Sequence, residues 1–216
     1  MLNRLLPALL GCLLAGSALA DPPPRNPKLE LSWTGEAKRF PPFTQVLLAP
    51  VEIEFRPVQP LSGPAMLASG RTEFPATERD RERLAKDFNE VFRRELADQR
   101  NLTLTETAGP GVLVLRPALR DIVWRLPPEE PAGTRIYLDT IADLTLIVDF
   151  ADGASGQSLA TATDRRTAEP ANTQGDFGAV RGNRVEASAE LRRVARRWGT
   201  RLTQRVEQLY YDAKPR

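Results

Sequence analysis

The chain contains no histidine, and its single cysteine is Cys12, close to the amino terminus. Those two absences remove a Ser-His-Asp triad, a cysteine nucleophile further along the chain, a thiolate zinc site and any histidine-based metal site. A disulfide framework is removed as well. Lysine is scarce, with 4 Lys against 26 Arg, and Ser–Lys chemistry would have to use Lys28, Lys38, Lys86 or Lys214. None of these stands in a setting that would desolvate it and lower its pKa. Aromatic residues are 6% of the chain, so the core must be built mainly from Leu, Val, Ile and Ala. No apolar run reaches the ~20 residues of a spanning helix. A net charge of +2 is too small to make the whole surface a polyanion binder.

What is present begins with a leader. Arg4 precedes an apolar stretch from Leu5 to Leu14, and Ala18-Leu19-Ala20 then supplies a small-x-small cleavage signal. This is the layout of a secretory signal peptide over residues 1–20, with cleavage between Ala20 and Asp21 and release into the periplasm. The alternative is an outer-membrane lipoprotein acylated at Cys12. Leu14-Ala15-Gly16 sits at lipobox depth, but the next residue is Ser17, whose hydroxyl cannot replace a thiol. Residues 21–42 hold six prolines and are read as an extended linker, with a short strand near Leu29 to Trp33.

A single α+β domain is expected over residues 43–212. Residues 43–55, "FTQVLLAPVEIEF", form a strand whose Pro50 belongs at a bulge or near an edge. After a proline-rich loop, Thr77 is the N-cap of a helix over residues 78–99, with an apolar stripe of Leu84, Phe88, Val91, Phe92 and Leu96. Seven acidic and seven basic residues between Glu78 and Arg100 suggest a solvated face of i,i+4 pairs rather than a binding site. Strands are predicted over residues 101–107, 112–124, 142–150 and 158–166, with turns at "AGPG" and "DGASG" and a bend at Pro117. Residues 167–182 read as a loop, and a second helix starts near Arg184. Its stripe is Leu191, Ala195, Trp198, Leu202, Val206 and Leu209, with Trp198 as the anchor against the sheet. The order β-α-β-β-β-β-α predicts a mainly antiparallel sheet of four to five strands with two helices on one face.

The clearest charge asymmetry lies in that second helix. Eight Arg and two Glu occur from Arg181 to Arg205. Arg192, Arg193, Arg196, Arg197 and Arg201 make a cationic ridge opposite the apolar stripe, the candidate anion- or partner-binding residues. The acidic residues offer less. Asp139, Asp143, Asp149 and Asp152 do not follow the spacing of a calcium loop, Asp152-Gly153 makes a turn, and Glu52 and Glu54 lie on the solvated side of their strand. No catalytic, cofactor-binding or metal-binding residue is assigned. The expected partner is an envelope protein or an anionic envelope component, with membrane contact at most peripheral and no nucleic acid.

At "FTQVLLAPVEI", "GPGVLVLRPALRDI", "SLATATDRR" and "ARRWGTRLTQRV" the chain resembles the bacterial envelope family catalogued as domain of unknown function 3313. The resemblance implies an exported protein of this size, often lipid-anchored, and assigns no activity, ligand or catalytic residue. The reading that results is a non-enzymatic interaction module of the envelope. The alternative is a peripheral binder of anionic lipid or lipopolysaccharide through the Arg-rich helix.

Overall fold

In a computed structural model, the residues described are 29–34, 40–58, 73–99, 101–127, 137–169, 180–181 and 184–213. The expected signal peptide with Cys12, and much of the expected linker, lie outside them. Nine strands and two helices are described. They are β1 Leu31–Trp33, β2 Gln45–Leu48, β3 Glu52–Phe55, α1 Glu78–Ala97, β4 Thr103–Thr105, β5 Val112–Trp124, β6 Tyr137–Leu138, β7 Ala142–Asp152, β8 Ser158–Ala168, β9 Val180–Arg181 and α2 Arg184–Ala213. Seven strands form one mixed, mostly antiparallel sheet in the order β1-β8-β7-β5-β2-β4, with β3 beside β5. The sheet is thus larger than four to five strands, and the short β6–β9 ladder joins Tyr137–Leu138, where no strand is expected, to the end of the segment read as a loop.

The centre is an antiparallel meander, β5 to β7 to β8, as the alternating sequences predict. The first strand is split. Residues 43–55 become β2 and β3 on either side of Pro50, and both run parallel to β5. Proline has no ladder donor, so pairing stops there. The Asn89 side chain of α1 accepts a hydrogen bond from the Val51 amide at 3.0 Å, which satisfies a donor released by the interruption. Pro117 exploits the same gap. The Leu115 carbonyl faces β2, accepting from Ala49 at 2.9 Å. By strand alternation the missing amide of Pro117 points the same way, into the break between β2 and β3. The ladder between β5 and β7 runs unbroken through Pro117, and its register shifts further on, where Asp121 (φ +50) marks a bulge. β4 also departs from expectation. It pairs parallel with β2, which lies between it and β5, so the "AGPG" turn does not close a hairpin.

Alternation places Leu113, Leu115, Leu119, Leu144, Leu146, Val148 and Phe150 on one sheet face. Both helices cover that face. Trp198 is fully buried, its ring lies 6.0 Å from that of Phe88, and its indole N–H donates to Asp164 of β8 at 2.8 Å. One side chain thus joins both helices and the sheet. Gly199 brings the helices close, since a Cβ there would lie 2.8 Å from Cγ of Glu95. Part of the segment read as a linker belongs to the fold. Leu29 and Phe40 are buried, β1 pairs with β8, and Arg205 donates to the Leu29 carbonyl.

Candidate functional site

The candidate site lies on the helical layer and starts at the beginning of α1. Thr77 caps the helix. The Asp80 amide donates to the Thr77 hydroxyl at 3.2 Å, and the Thr77 amide donates to Asp80 Oδ2 at 3.0 Å. The other oxygen of Asp80 faces α2 and lies 3.3 Å from Arg184 Nε. Burial raises the Asp80 pKa, but the Thr77 hydrogen bonds and Arg184 outweigh it, so the net shift is below the usual carboxylate range. Two turns later Asp87, also buried, accepts from Arg192 at 2.6 Å, and that bond raises the arginine's pKa further. Two buried acids of α1 therefore hold two arginines of α2 across the helix pair.

An open groove of about 730 Å³ lies over these bridges, lined by the first halves of both helices. On the α1 wall stand Arg79, Arg83 and Lys86, spaced four and three apart so that they share a face. Lys86 reaches Glu90 at 3.8 Å, an exposed contact of little strength. Arg79 and Arg83 have no ion pair among the described residues. Ser188 and Ala189 of α2 keep the groove open, and Val185 beside them is 80% exposed. A smaller cavity beneath, between Leu84, Trp124, Leu126 and Leu191, measures about 10 Å³ and has room for one water at most.

The five arginines expected to act as one ridge are divided by the fold. Arg192 is held by Asp87, and Arg193 pairs with Glu190 one turn earlier. Arg201 turns toward the sheet, 3.8 Å from the buried Asp164, and burial is the leading cause of its lowered pKa. Arg196 and Arg197 are exposed, with no ion pair among the described residues. The free cations of the helical layer are thus Arg196 and Arg197 on α2 together with Arg79 and Arg83 on α1. The latter pair was hidden by the even charge count of α1.

The opposite sheet face behaves otherwise. Arg116 meets Asp149 at 3.1 Å, Arg120 meets Glu52 and Glu54, and Arg125 meets Asp143 at 2.7 Å. Asp121 holds Arg56 at 2.8 Å and Arg165 at 3.3 Å; the Arg56 hydrogen bond leads the lowering of its pKa. Asp143 is also held low, burial being outweighed by Thr167 and Arg125. Asp152 accepts from the amide and hydroxyl of Ser155, as the turn requires. Among the described residues no cluster of three or more acids has the spacing of a metal site, and no helix is long and apolar enough to cross a membrane.

Comparison with known proteins gives a family and a set of distant folds. No curated protein matches the chain significantly. Among solved structures, the fold is similar to a PelC dodecamer from Paraburkholderia phytofirmans, with 11% identity, 79% of this chain and 97% of that chain covered, and a TM-score of 0.32. It is also similar to protein XCC0632 from Xanthomonas campestris, assigned to DUF330, with 12% identity, 81% and 93% covered, and a TM-score of 0.39. A third is a putative neuraminyllactose-binding hemagglutinin homolog from Helicobacter pylori, with 11% identity, 80% and 91% covered, and a TM-score of 0.39. The sequence profile of the family described as "Protein of unknown function (DUF3313)" matches residues 24–202, so the chain belongs to DUF3313.

Proposed function

We propose that this protein is an exported, non-enzymatic binding module of the cell envelope, which holds an anionic envelope component against its helical layer. The observation that carries this reading is the segregation of unpaired cations. Arg79, Arg83, Arg196 and Arg197 lie on the helical side without an anionic partner among the described residues, while the arginines of the open sheet face are matched to carboxylates. An arginine whose charge is not used inside the fold is free to meet an external anion bidentately. Export is supported by the signal-peptide layout of residues 1–20.

The test is site-specific photocrosslinking in the native envelope, from probes replacing Arg196 or Ala189 on the helical side and Thr163 on the open sheet face. A discrete adduct from the helical positions, absent from Thr163 and weakened by added salt, is the expected result. Equal labelling from both faces, or none from the helical one, contradicts the reading.

A further inference from the structure

We infer that the groove between α1 and α2 binds the phosphate of an anionic lipid headgroup, with Arg79, Arg83 and Lys86 as its principal contacts. This inference rests on the proposed function and narrows it to one ligand chemistry and one part of the helical layer.

Four features converge. First, five cations line the groove, Arg79, Arg83, Lys86, Arg184 and Arg192, against two carboxylates, Glu82 and Asp87. Second, the acid–arginine bridges are part of the fold. Asp80 and Asp87 hold Arg184 and Arg192, so the α1 wall is left to meet a ligand. At 1.5 Å per residue that wall extends about 10 Å from Arg79 to Lys86, a row of three donors suited to one phosphodiester and its neighbouring polar groups. Third, the cationic wall faces an apolar edge. Val185 is 80% exposed and Ala189 follows one turn later on the same face. A free phosphate has no use for such an edge, whereas a headgroup at a bilayer surface brings glycerol and the first methylenes with it. Fourth, the space beneath the groove holds one water at most, so an acyl chain is not drawn into the protein there. The site reads a headgroup while the lipid stays in its membrane.

Glu82 shares the groove and opposes the anion. Its presence sets a direction for one variant: Glu82→Gln should bind acidic membranes more tightly than the unaltered chain.

The experiment is co-sedimentation with phosphatidylcholine vesicles, with and without phosphatidylglycerol, at low and high salt. The proteins are the unaltered chain, Arg79→Ala/Arg83→Ala/Lys86→Ala, and Arg196→Ala/Arg197→Ala. Each basic residue near an anionic surface contributes about 1 kcal/mol, so the groove triple variant should lose about a hundredfold in affinity for acidic vesicles. Arg196→Ala/Arg197→Ala should lose much less, and binding should vanish at high salt. Thermal melting checks that the triple variant is folded, and the tightening expected of Glu82→Gln gives a second readout that misfolding cannot imitate. Binding lost in Arg196→Ala/Arg197→Ala and kept in the groove variant overturns the inference but leaves the proposed function standing. Absence of acidic-vesicle binding, with a helical-side crosslink retained, does the same. Inorganic phosphate that binds alone in calorimetry as tightly as the vesicles do would assign the site to free phosphate and overturn the lipid headgroup.

Discussion

The open face of the sheet and the outer face of the helices are both rich in arginine, yet among the described residues only the helical face leaves some of it without a carboxylate partner. On the sheet, cross-strand register sets opposite charges side by side: Arg116 and Asp149 are direct partners across β5 and β7, and Arg120 reaches Glu52 and Glu54 of β3. The charges are neutralised in place, beside a small buried apolar cluster of Val112, Val114 and Ala151 on the same face. On the helices two of the acids are turned the other way. Asp80 and Asp87 point into the seam between α1 and α2, and among the described residues Arg79 and Arg83 are left outside without a carboxylate, although Arg81, Lys86 and Arg94 keep exposed glutamate partners. Net charge, +2 for the whole chain, carries no sign of this separation. A cationic surface is created here partly by burying anions that would otherwise have matched it.

The largest effect should come from the seam that joins both regions. Trp198→Ala removes a fully buried ring between α1, α2 and β8 and leaves Asp164 without its indole donor, at an expected cost of about 3–5 kcal/mol in denaturant unfolding. Gly199→Ala should destabilise by about 1–3 kcal/mol, because the added methyl meets Glu95 at a distance no Cβ tolerates and either that side chain or the helix must shift. That loss should exceed the helix-propensity gain of about 1 kcal/mol. Acid should weaken the two regions together. Asp80, Asp121 and Asp143 have folded pKa values below their ordinary ones. Their stabilising contribution is complete above the unfolded carboxylate value of about 4 and is lost as pH falls through the lower folded values. Stability followed by circular dichroism should therefore be level from neutral pH to about 5 and decline below about 4.

Smaller changes test the contrast more finely. Asp87→Asn releases Arg192 from its charged partner, which should cost about 1 kcal/mol of stability while tightening binding to anionic vesicles. Glu52→Gln/Glu54→Gln frees Arg120 on the sheet face for less than about 1 kcal/mol. If unpaired arginine is what makes a surface bind, this variant should acquire weak, salt-sensitive vesicle binding through a face that had none.

Much of the fold was legible. The helical periods of α1 and α2, the Thr77 cap, the meander of β5, β7 and β8, and Trp198 as anchor all follow from local pattern, because each is decided by neighbours in sequence. What escaped was decided at long range. A proline can interrupt a strand or bend it, and only the partner strand shows that Pro50 and Pro117 share one gap between β2 and β3. β4 pairs with β2 rather than with its neighbour β5, a choice that three alternating residues cannot express. The site was half legible. Arg196 and Arg197 were visible as a cationic pair, but Arg192, Arg193 and Arg201 are used inside the molecule. For α1 a signal was present and missed. Asp80, Leu84, Asp87 and Val91 step by four, three and four, so the two acids lie on the apolar stripe and not on the solvated face. Acids on a buried stripe demand cationic partners elsewhere, and here Arg79 and Arg83 of the same helix are left without one, while Arg81, Lys86 and Arg94 pair with exposed glutamates.

On the proposed function, unpaired arginine on the helical layer, and not arginine in general, makes this protein bind. Salt-dependent binding to phosphatidylglycerol vesicles compared between two variants tests it most directly. One is Arg79→Ala/Arg83→Ala/Arg196→Ala/Arg197→Ala, and the other is Arg116→Ala/Arg120→Ala/Arg165→Ala, with thermal melting to show that both are folded. The helical variant should lose binding and the sheet variant should keep it. Loss in the sheet variant with binding retained in the helical one would contradict it.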